Sequence, residues 1–140
     1  MNALGTRRAA AALLCVAAGG CGALQAPRDS MAPLAAAGDA DRGREIFVAR
    51  DGGHCVLCHA APGIAPAGNV GPSLAGVGSR LSAGEIRLRI ADITRVNANA
   101  AMPTFHRVEG MKRVAPQYAG KPVLDGQQVE DLVAWLATLR

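Results

Sequence analysis

The feature that most constrains this 140-residue sequence is the pentapeptide Cys-Val-Leu-Cys-His at residues 55–59. Two cysteines three positions apart on one turn of helix can both reach one edge of a porphyrin, and the adjacent histidine then points its imidazole at the iron. The C-x-x-C-H spacing therefore predicts one haem c, attached covalently through Cys55 and Cys58, with His59 as an axial ligand.

Other chemistries also use a C-x-x-C pair. A structural zinc site needs about four ligands, and the region after residue 21 holds no second cysteine pair. A thioredoxin-like dithiol requires a βαβ context, and no convincing strand is visible in the sequence. A plain disulfide between Cys55 and Cys58 is the remaining structural alternative.

The composition agrees with a core that is built around a bound group. Half of the residues are hydrophobic, but the aromatic supply is limited to four side chains, Phe47, Phe105, Tyr118 and Trp135. Domains of this size often depend on a metal, a disulfide or a bound group for stability. We expect a single domain with haem in its core.

The N-terminal region is typical of an exported protein. Arg7 and Arg8 precede an uncharged apolar run that is too short to span a bilayer. The run ends at small residues followed by Cys21, which resembles a lipoprotein processing site, while cleavage after Ala37 is the rival. We expect residues 1–21 to be a signal peptide, 22–37 a flexible linker and 38–140 the domain, located in the periplasm, with Cys21 as the candidate site of a lipid anchor.

The charge balance argues against nucleic-acid binding. Removal of residues 1–21 takes Arg7 and Arg8 from the 15 basic residues and none from the 11 acidic ones, which leaves a net charge of +2. No basic stripe remains that would follow a phosphate backbone.

The hydrophobic pattern predicts an all-α domain. Asp39 or Asp41 is expected to cap a first helix through about Arg50. Ser82 and Glu85 form a capping box for a helix that ends near Val96. Residues 97–124 have little periodicity and are predicted to be a long functional loop, and a last amphipathic helix starts at Asp125.

Two further features complete the predicted haem site. A backbone carbonyl near Pro72 can accept the second imidazole proton of His59 and fix the ring. The sixth iron ligand must come from the opposite side of the haem, where a thioether or an imidazole would serve. Met102, before Pro103 in the long loop, is the preferred candidate, and Met111 or His106 are the alternatives; His54 is expected to face solvent.

Together, Gly38-Asp39-Ala40, the pentapeptide, Gly71-Pro72-Ser73-Leu74, Met102-Pro103 and the terminal helix resemble a class I cytochrome c domain over residues 38–140. The resemblance implies helices around a covalently bound haem, with crossing N- and C-terminal helices. The crossing is expected at Gly43, Phe47, Leu132 and Trp135.

A narrower resemblance lies in residues 97–110, 113–118 and 120–124, which are similar to SoxX-type sulfur-oxidation cytochromes. It implies a partner subunit of the SoxA type, which carries the catalysis while thiosulfate is joined oxidatively to the carrier protein SoxY. The haem of this chain would accept the electrons and pass them to a downstream cytochrome c. The chain would then be the electron-accepting subunit of an L-cysteine S-thiosulfotransferase, rather than an enzyme by itself. The alternative is a generic periplasmic or membrane-tethered electron shuttle.

Overall fold

The computed structural model describes residues 30–140, and the structural statements that follow refer to this part of the chain. It contains five α-helices: α1 (Ala40–Val48), α2 (Cys55–Cys58), α3 (Val77–Arg80), α4 (Ala83–Asp92) and α5 (Gly126–Thr138). Two short 3-10 turns lie at Ile93–Arg95 and Pro116–Tyr118. Residues 30–140 contain no strand, so the predicted all-α class is confirmed.

The first helix begins because Asp39 satisfies its free N–H groups. The Asp39 carboxylate accepts hydrogen bonds from the N–H groups of Asp41 and Arg42, at 2.9 and 3.0 Å, which settles the choice between Asp39 and Asp41. The helix ends at Val48, two residues earlier than predicted, because Ala49 adopts an extended backbone.

Helices α4 and α5 begin with capping boxes. In α4 the Ser82 side chain and Glu85 bond reciprocally, as predicted, and Asp125 and Gln128 do the same in α5. Helix α4 ends at Asp92, whose carboxylate accepts from the Thr94 N–H and so begins the 3-10 turn that follows. Helical structure therefore continues almost to the predicted end near Val96, but residues Ile93–Arg95 form a 3-10 turn and not part of the α-helix.

The core is organised by the crossing of α1 and α5. Gly43 lies so close to α5 that a Cβ on it would overlap the backbone carbonyl of Asp131. One turn later Phe47 packs on Trp135, with ring centroids 4.8 Å apart and planes at 47°. Phe47 and Leu132 are each 1% exposed. The predicted crossing of the terminal helices is confirmed at these residues.

The segment just before α1 contacts the outside of α4 and α5. The Met31 N–H donates to the Gly84 carbonyl at 3.1 Å, and Arg87 donates to the Met31 carbonyl at 2.8 Å. The Leu34 N–H donates to the Glu130 carboxylate at 2.9 Å. Residues 31–34 are thus fastened to the domain, although the sequence places them in the linker; the boundary at residue 38 stays a prediction.

A buried ion pair holds this segment. Arg87 and Glu130 are joined by two hydrogen bonds of 2.6 and 2.7 Å, and both side chains are buried. Burial acts to raise the pKa of Glu130, but the hydrogen bonds from Arg87 and from the Leu34 N–H together lower it below its ordinary value. Glu130 therefore remains ionised beside Arg87, and both partners use their remaining hydrogen-bonding capacity on the segment's backbone.

The predicted signal peptide, including Cys21, and residues 22–29 of the predicted linker lie outside the described residues. Among residues 30–140, no helix is long and apolar enough to cross a membrane.

The acid stability of the fold should depend on Asp131. Its hydrogen bond from Arg42 is the main cause that lowers the pKa of Asp131 to about 2, with help from the Asp39 N–H and Gln127. A lowered pKa stabilises the fold above about pH 4, and the contribution is lost as pH falls toward 2. Because the Arg42 side chain is 56% exposed, solvent weakens its interaction with Asp131. The lowered pKa of Asp131 therefore contributes about 1–2 kcal/mol to the free energy of unfolding.

We expect Asp131→Asn to lower the free energy of unfolding of the haem-loaded protein by about 1–2 kcal/mol at pH 7, measured by urea titration. The difference in free energy of unfolding between the variant and the wild type should become smaller as pH approaches 2. Asp41→Asn, at an exposed position of the same helix junction, is the control. An equal effect of both variants, or a gap that does not change with pH, would contradict this role of Asp131.

Candidate haem-binding site

The two cysteines lie on a single helical turn. Helix α2 follows His54, whose backbone is left-handed with φ of 53°, and it ends where His59 becomes extended. The His59 N–H donates to the Cys55 carbonyl at 2.9 Å. This geometry places Cys55 and Cys58 on one turn and starts the histidine in a new direction immediately after it.

Cys55 and Cys58 are not joined by a disulfide in this structure. Burial raises the pKa of Cys55 to about 11, which keeps its sulfur protonated at neutral pH. Metal binding and disulfide exchange need a thiolate, whereas a thioether to a haem vinyl group carries no charge. The half-buried position of Cys55 suits a thioether better than either alternative.

The His59 ring is oriented by a backbone acceptor. Its Nδ1 lies 2.8 Å from the carbonyl oxygen of Pro72, the contact expected from the sequence. When Nδ1–H donates to this carbonyl, Nε2 keeps its lone pair free. An imidazole held in this tautomer can offer Nε2 to an iron.

The loop that provides Pro72 runs along the pentapeptide and is fixed to it by backbone hydrogen bonds. The N–H groups of Gly68, Gly71 and Leu74 donate to the carbonyls of Val56, Cys58 and Ala60, at 2.9, 2.8 and 2.8 Å. A Cβ on Gly71 would overlap the His59 ring. Glycine at this position lets the loop approach closely enough for the Pro72 carbonyl to reach Nδ1.

The four candidates for the sixth ligand differ in their surroundings. Met102 is half-buried and packs against the hydrophobic core, as Cys55 does. The sulfur of Met111 accepts a hydrogen bond from the Thr104 hydroxyl at 3.4 Å, and its side chain is 42% exposed.

The two remaining histidines are engaged or turned outward. His106 Nδ1 lies 3.0 Å from the Leu124 carbonyl, and its ring borders a surface groove with Asp92 and Arg107. His54 is exposed and directly precedes Cys55. Met102 is therefore the candidate whose surroundings best suit an iron ligand.

The residues present fit a haem. Two thiols on one turn, an imidazole with Nε2 free and a half-buried thioether provide the donor set. Several apolar side chains that pack on the core are only partly covered, as expected next to a flat apolar ring: Cys55, Ile64, Leu74, Leu81 and Met102. Among residues 30–140, no cluster of three or more His, Cys, Asp or Glu side chains has the geometry to hold a metal ion by itself.

Residues 40–140 match the family described as Cytochrome c. The chain belongs to the cytochrome c family. Its haem c is accordingly held covalently, and Cys55 and Cys58 fit the C-x-x-C-H attachment motif of that family.

Two comparisons refine the assignment of this cytochrome. It is 36% identical over 106 residues to a "Cytochrome c-553-like" protein of Synechocystis sp., which covers 76% of this chain and 74% of that protein. It also superposes on a chain of the crystal structure of SoxXA from P. pantotrophus with a TM-score of 0.71 and 32% identity, covering 79% of this chain and 90% of that one. The predicted resemblance to a SoxX-type class I cytochrome c is confirmed.

Two features of the structure were not predicted from the sequence. The sequence analysis predicts no helix at residues 77–80, yet α3 packs on α5, where a Cβ on Gly78 would overlap the Ala137 carbonyl. The Thr104 contact to Met111 was not predicted either, because a hydroxyl seven residues from a methionine gives no signal in the sequence. The glycine in Val-Gly-Ser-Arg was the available clue to α3, since close helix packing favours small residues.

The thioether assignment predicts a spectroscopic change. Cys55→Ala and Cys58→Ala each leave one haem vinyl group unsaturated and conjugated with the ring. We expect the α-band of the pyridine haemochrome to move to longer wavelength in each single variant, and the double variant to lose haem on acid–acetone extraction. His54→Ala is the control, and an unchanged band in both cysteine variants would contradict the assignment.

Proposed function

We propose that this cytochrome is the electron-accepting subunit of a two-subunit complex of the SoxAX type, located in the periplasm. The single observation that carries the proposal is the structural match to the SoxXA crystal structure, which covers 90% of that chain at 32% identity. The segment 97–124, whose sequence is similar to SoxX-type cytochromes, supports it independently of the fold.

The proposed iron ligands are His59 and Met102, with Cys55 and Cys58 as the covalent attachment points. Haem supplies an iron that gains and loses one electron. His59 is held by Pro72 in the tautomer that ligation needs, and a thioether on the other side raises the reduction potential. If His59 and Met102 both hold the iron, no open position would be left for a substrate, so the proposed role is electron transfer.

The chemistry then belongs to the partner. Joining a cysteine thiolate of the SoxY carrier to thiosulfate forms one S–S bond and releases two electrons. In the proposed complex the SoxA-type subunit holds the reacting sulfur atoms, and this cytochrome takes the electrons one at a time and delivers them to a downstream cytochrome c. The chain alone would catalyse nothing.

A membrane tether is part of the proposal. Acylation of Cys21 would leave nine residues, 22–30, between the lipid and Met31, whose N–H donates to the Gly84 carbonyl of the domain. Nine residues reach at most about 30 Å, so the domain would work close to the membrane surface.

The second candidate is a generic electron shuttle. The 36% identity to a cytochrome c-553-like protein favours it, since the haem-holding residues would be the same. Such a shuttle would form no stable complex with a second cytochrome, which distinguishes it from the first candidate.

The function is tested by mixing the oxidised haem-loaded protein with a SoxA-type subunit, the SoxY carrier and thiosulfate. We expect the ferrous α-band to appear only when all components are present, and to be absent when the carrier cysteine is blocked. A stable heterodimer should elute in size-exclusion chromatography. A cytochrome that elutes alone and stays oxidised would favour the shuttle.

The sixth ligand is tested by Met102→Ala. We expect a lower reduction potential, because the thioether is lost, and carbon monoxide binding to the ferrous form under native conditions. Met111→Ala and His106→Ala are matched controls from the same segment and should leave both properties unchanged. If the Met102 variant keeps the wild-type potential, the ligand is the residue whose variant lowers it.

A further inference from the structure

One loop of the domain is exposed along its whole length. Every residue from 109 to 123 is exposed to solvent, and we call this segment the 109–123 loop. Its only regular structure is the short turn Pro116–Tyr118. Fifteen consecutive exposed residues bury little of their own surface, so the loop adds little to the stability of the core.

The two ends of the loop are nevertheless fixed close together. After the loop, the Leu124 N–H donates to the Phe105 carbonyl at 2.8 Å, and His106 Nδ1–H donates to the Leu124 carbonyl. Near its start, the Met111 sulfur accepts from the buried Thr104 hydroxyl. Closed ends and an exposed body are the features of an Ω-loop, a type of loop that is frequently functional.

The loop carries large apolar side chains that the described chain leaves exposed to solvent. Of the seven large hydrophobic residues that are exposed among residues 30–140, four lie in this loop: Met111, Val114, Tyr118 (62% exposed) and Val123 (52% exposed). Single exposed apolar residues are ordinary, but a concentration of them marks an interaction site. Tyr118 is also of a residue type enriched where interfaces bind most strongly.

Positive charge is concentrated in the same part of the chain. Of the 13 basic and 11 acidic residues after Cys21, residues 93–124 contain five basic and one acidic. Arg107 is paired with Asp92 at 3.4 Å. Within residues 30–140, no carboxylate lies within 4 Å of Lys112, Arg113 or Lys121. The other residues after Cys21 include eight basic and ten acidic ones, so the net positive charge of this part of the chain comes from residues 93–124.

An apolar surface with unpaired cations at its margin favours a protein partner that presents an apolar patch bordered by carboxylates. Resting on the proposed function, we propose that the 109–123 loop is the docking surface for the second, SoxA-type cytochrome subunit, which covers Tyr118 and Val123 and places acidic side chains opposite Lys112, Arg113 and Lys121. At its start the loop is joined by Met111 to Thr104, two residues after Met102, so a partner docked at this end would lie near the segment that carries the proposed ligand.

The apolar part is tested by binding of the haem-loaded protein to the SoxA-type subunit, measured by calorimetry. We expect Tyr118→Ser with Val123→Ser to weaken binding at least tenfold, which corresponds to about 1.4 kcal/mol. The matched control is Val70→Ser with Val48→Ser, two exposed valines outside the loop, which should leave the affinity within twofold. Unchanged haem spectra and helical circular dichroism establish that each variant folds.

The contribution of the positive charges is tested with the double variant Lys112→Glu with Arg113→Glu. The control is the double variant Arg44→Glu with Arg50→Glu, at exposed positions outside the loop. The loop variant should slow association and reduce its dependence on salt, and the control should change both less. A larger effect of the Arg44 and Arg50 variant would overturn the proposal and move the docking surface to the region of the pentapeptide.

Failure of the loop proposal and failure of the proposed function can be told apart. If the wild-type protein binds the SoxA-type subunit and is reduced within the complex, but the loop variants bind equally well, only the loop proposal is overturned. If the wild type binds no second cytochrome, both are overturned. If the loop variants instead abolish a homodimer seen by sedimentation, the occupant is a second copy of this chain and the proposal is wrong.

Discussion

The close contact between α1 and α5 is the constraint on which the rest of the domain depends. It requires Gly43, because any side chain there would meet the Asp131 backbone, and it brings Phe47 onto Trp135. This crossing determines the positions of two other parts of the domain. Helix α1 leads into the turn before Cys55, and α5 begins just after Leu124, whose buried side chain lies beside Gly53. The haem attachment point and the end of the long loop are thus held by the same pair of helices.

A second constraint is the hydrogen bonding of one imidazole. A histidine can ligate iron and donate one hydrogen bond only if each nitrogen has a separate partner. The Pro72 carbonyl takes one nitrogen, and it can do so because Gly71 allows its loop to lie against the ring. The backbone bonds from Gly68 and Leu74 to the pentapeptide hold this loop in place, so orientation of the ligand depends on backbone and not on long side chains.

Local signals made most of the helices and the core of the site predictable from sequence. The pentapeptide, the Asp39 cap and the Ser82–Glu85 box act between residues only a few positions apart, and the terminal helix has a strong apolar stripe. Contacts between distant residues gave no such signal. Arg87 and Glu130 resemble solvent-facing charges of two helices, yet they form a buried pair 43 residues apart that binds residues 31–34. Helix α3 was missed because its four residues are too short for a periodic pattern.

In the proposed function, the segment 97–124 combines two physical tasks that are usually in conflict. A ligand to iron must be held rigidly, because movement of a thioether would change the reduction potential, whereas a docking surface must be exposed and adaptable. The chain separates the tasks at Thr104 and Phe105, which are buried and bonded to Met111, to the Ile90 carbonyl and to Leu124. Before this point Met102 packs on the core, and after it residues 109–123 form the exposed loop. A partner bound to the loop could then approach the haem without disturbing its ligand, which is what rapid electron transfer with little rearrangement requires.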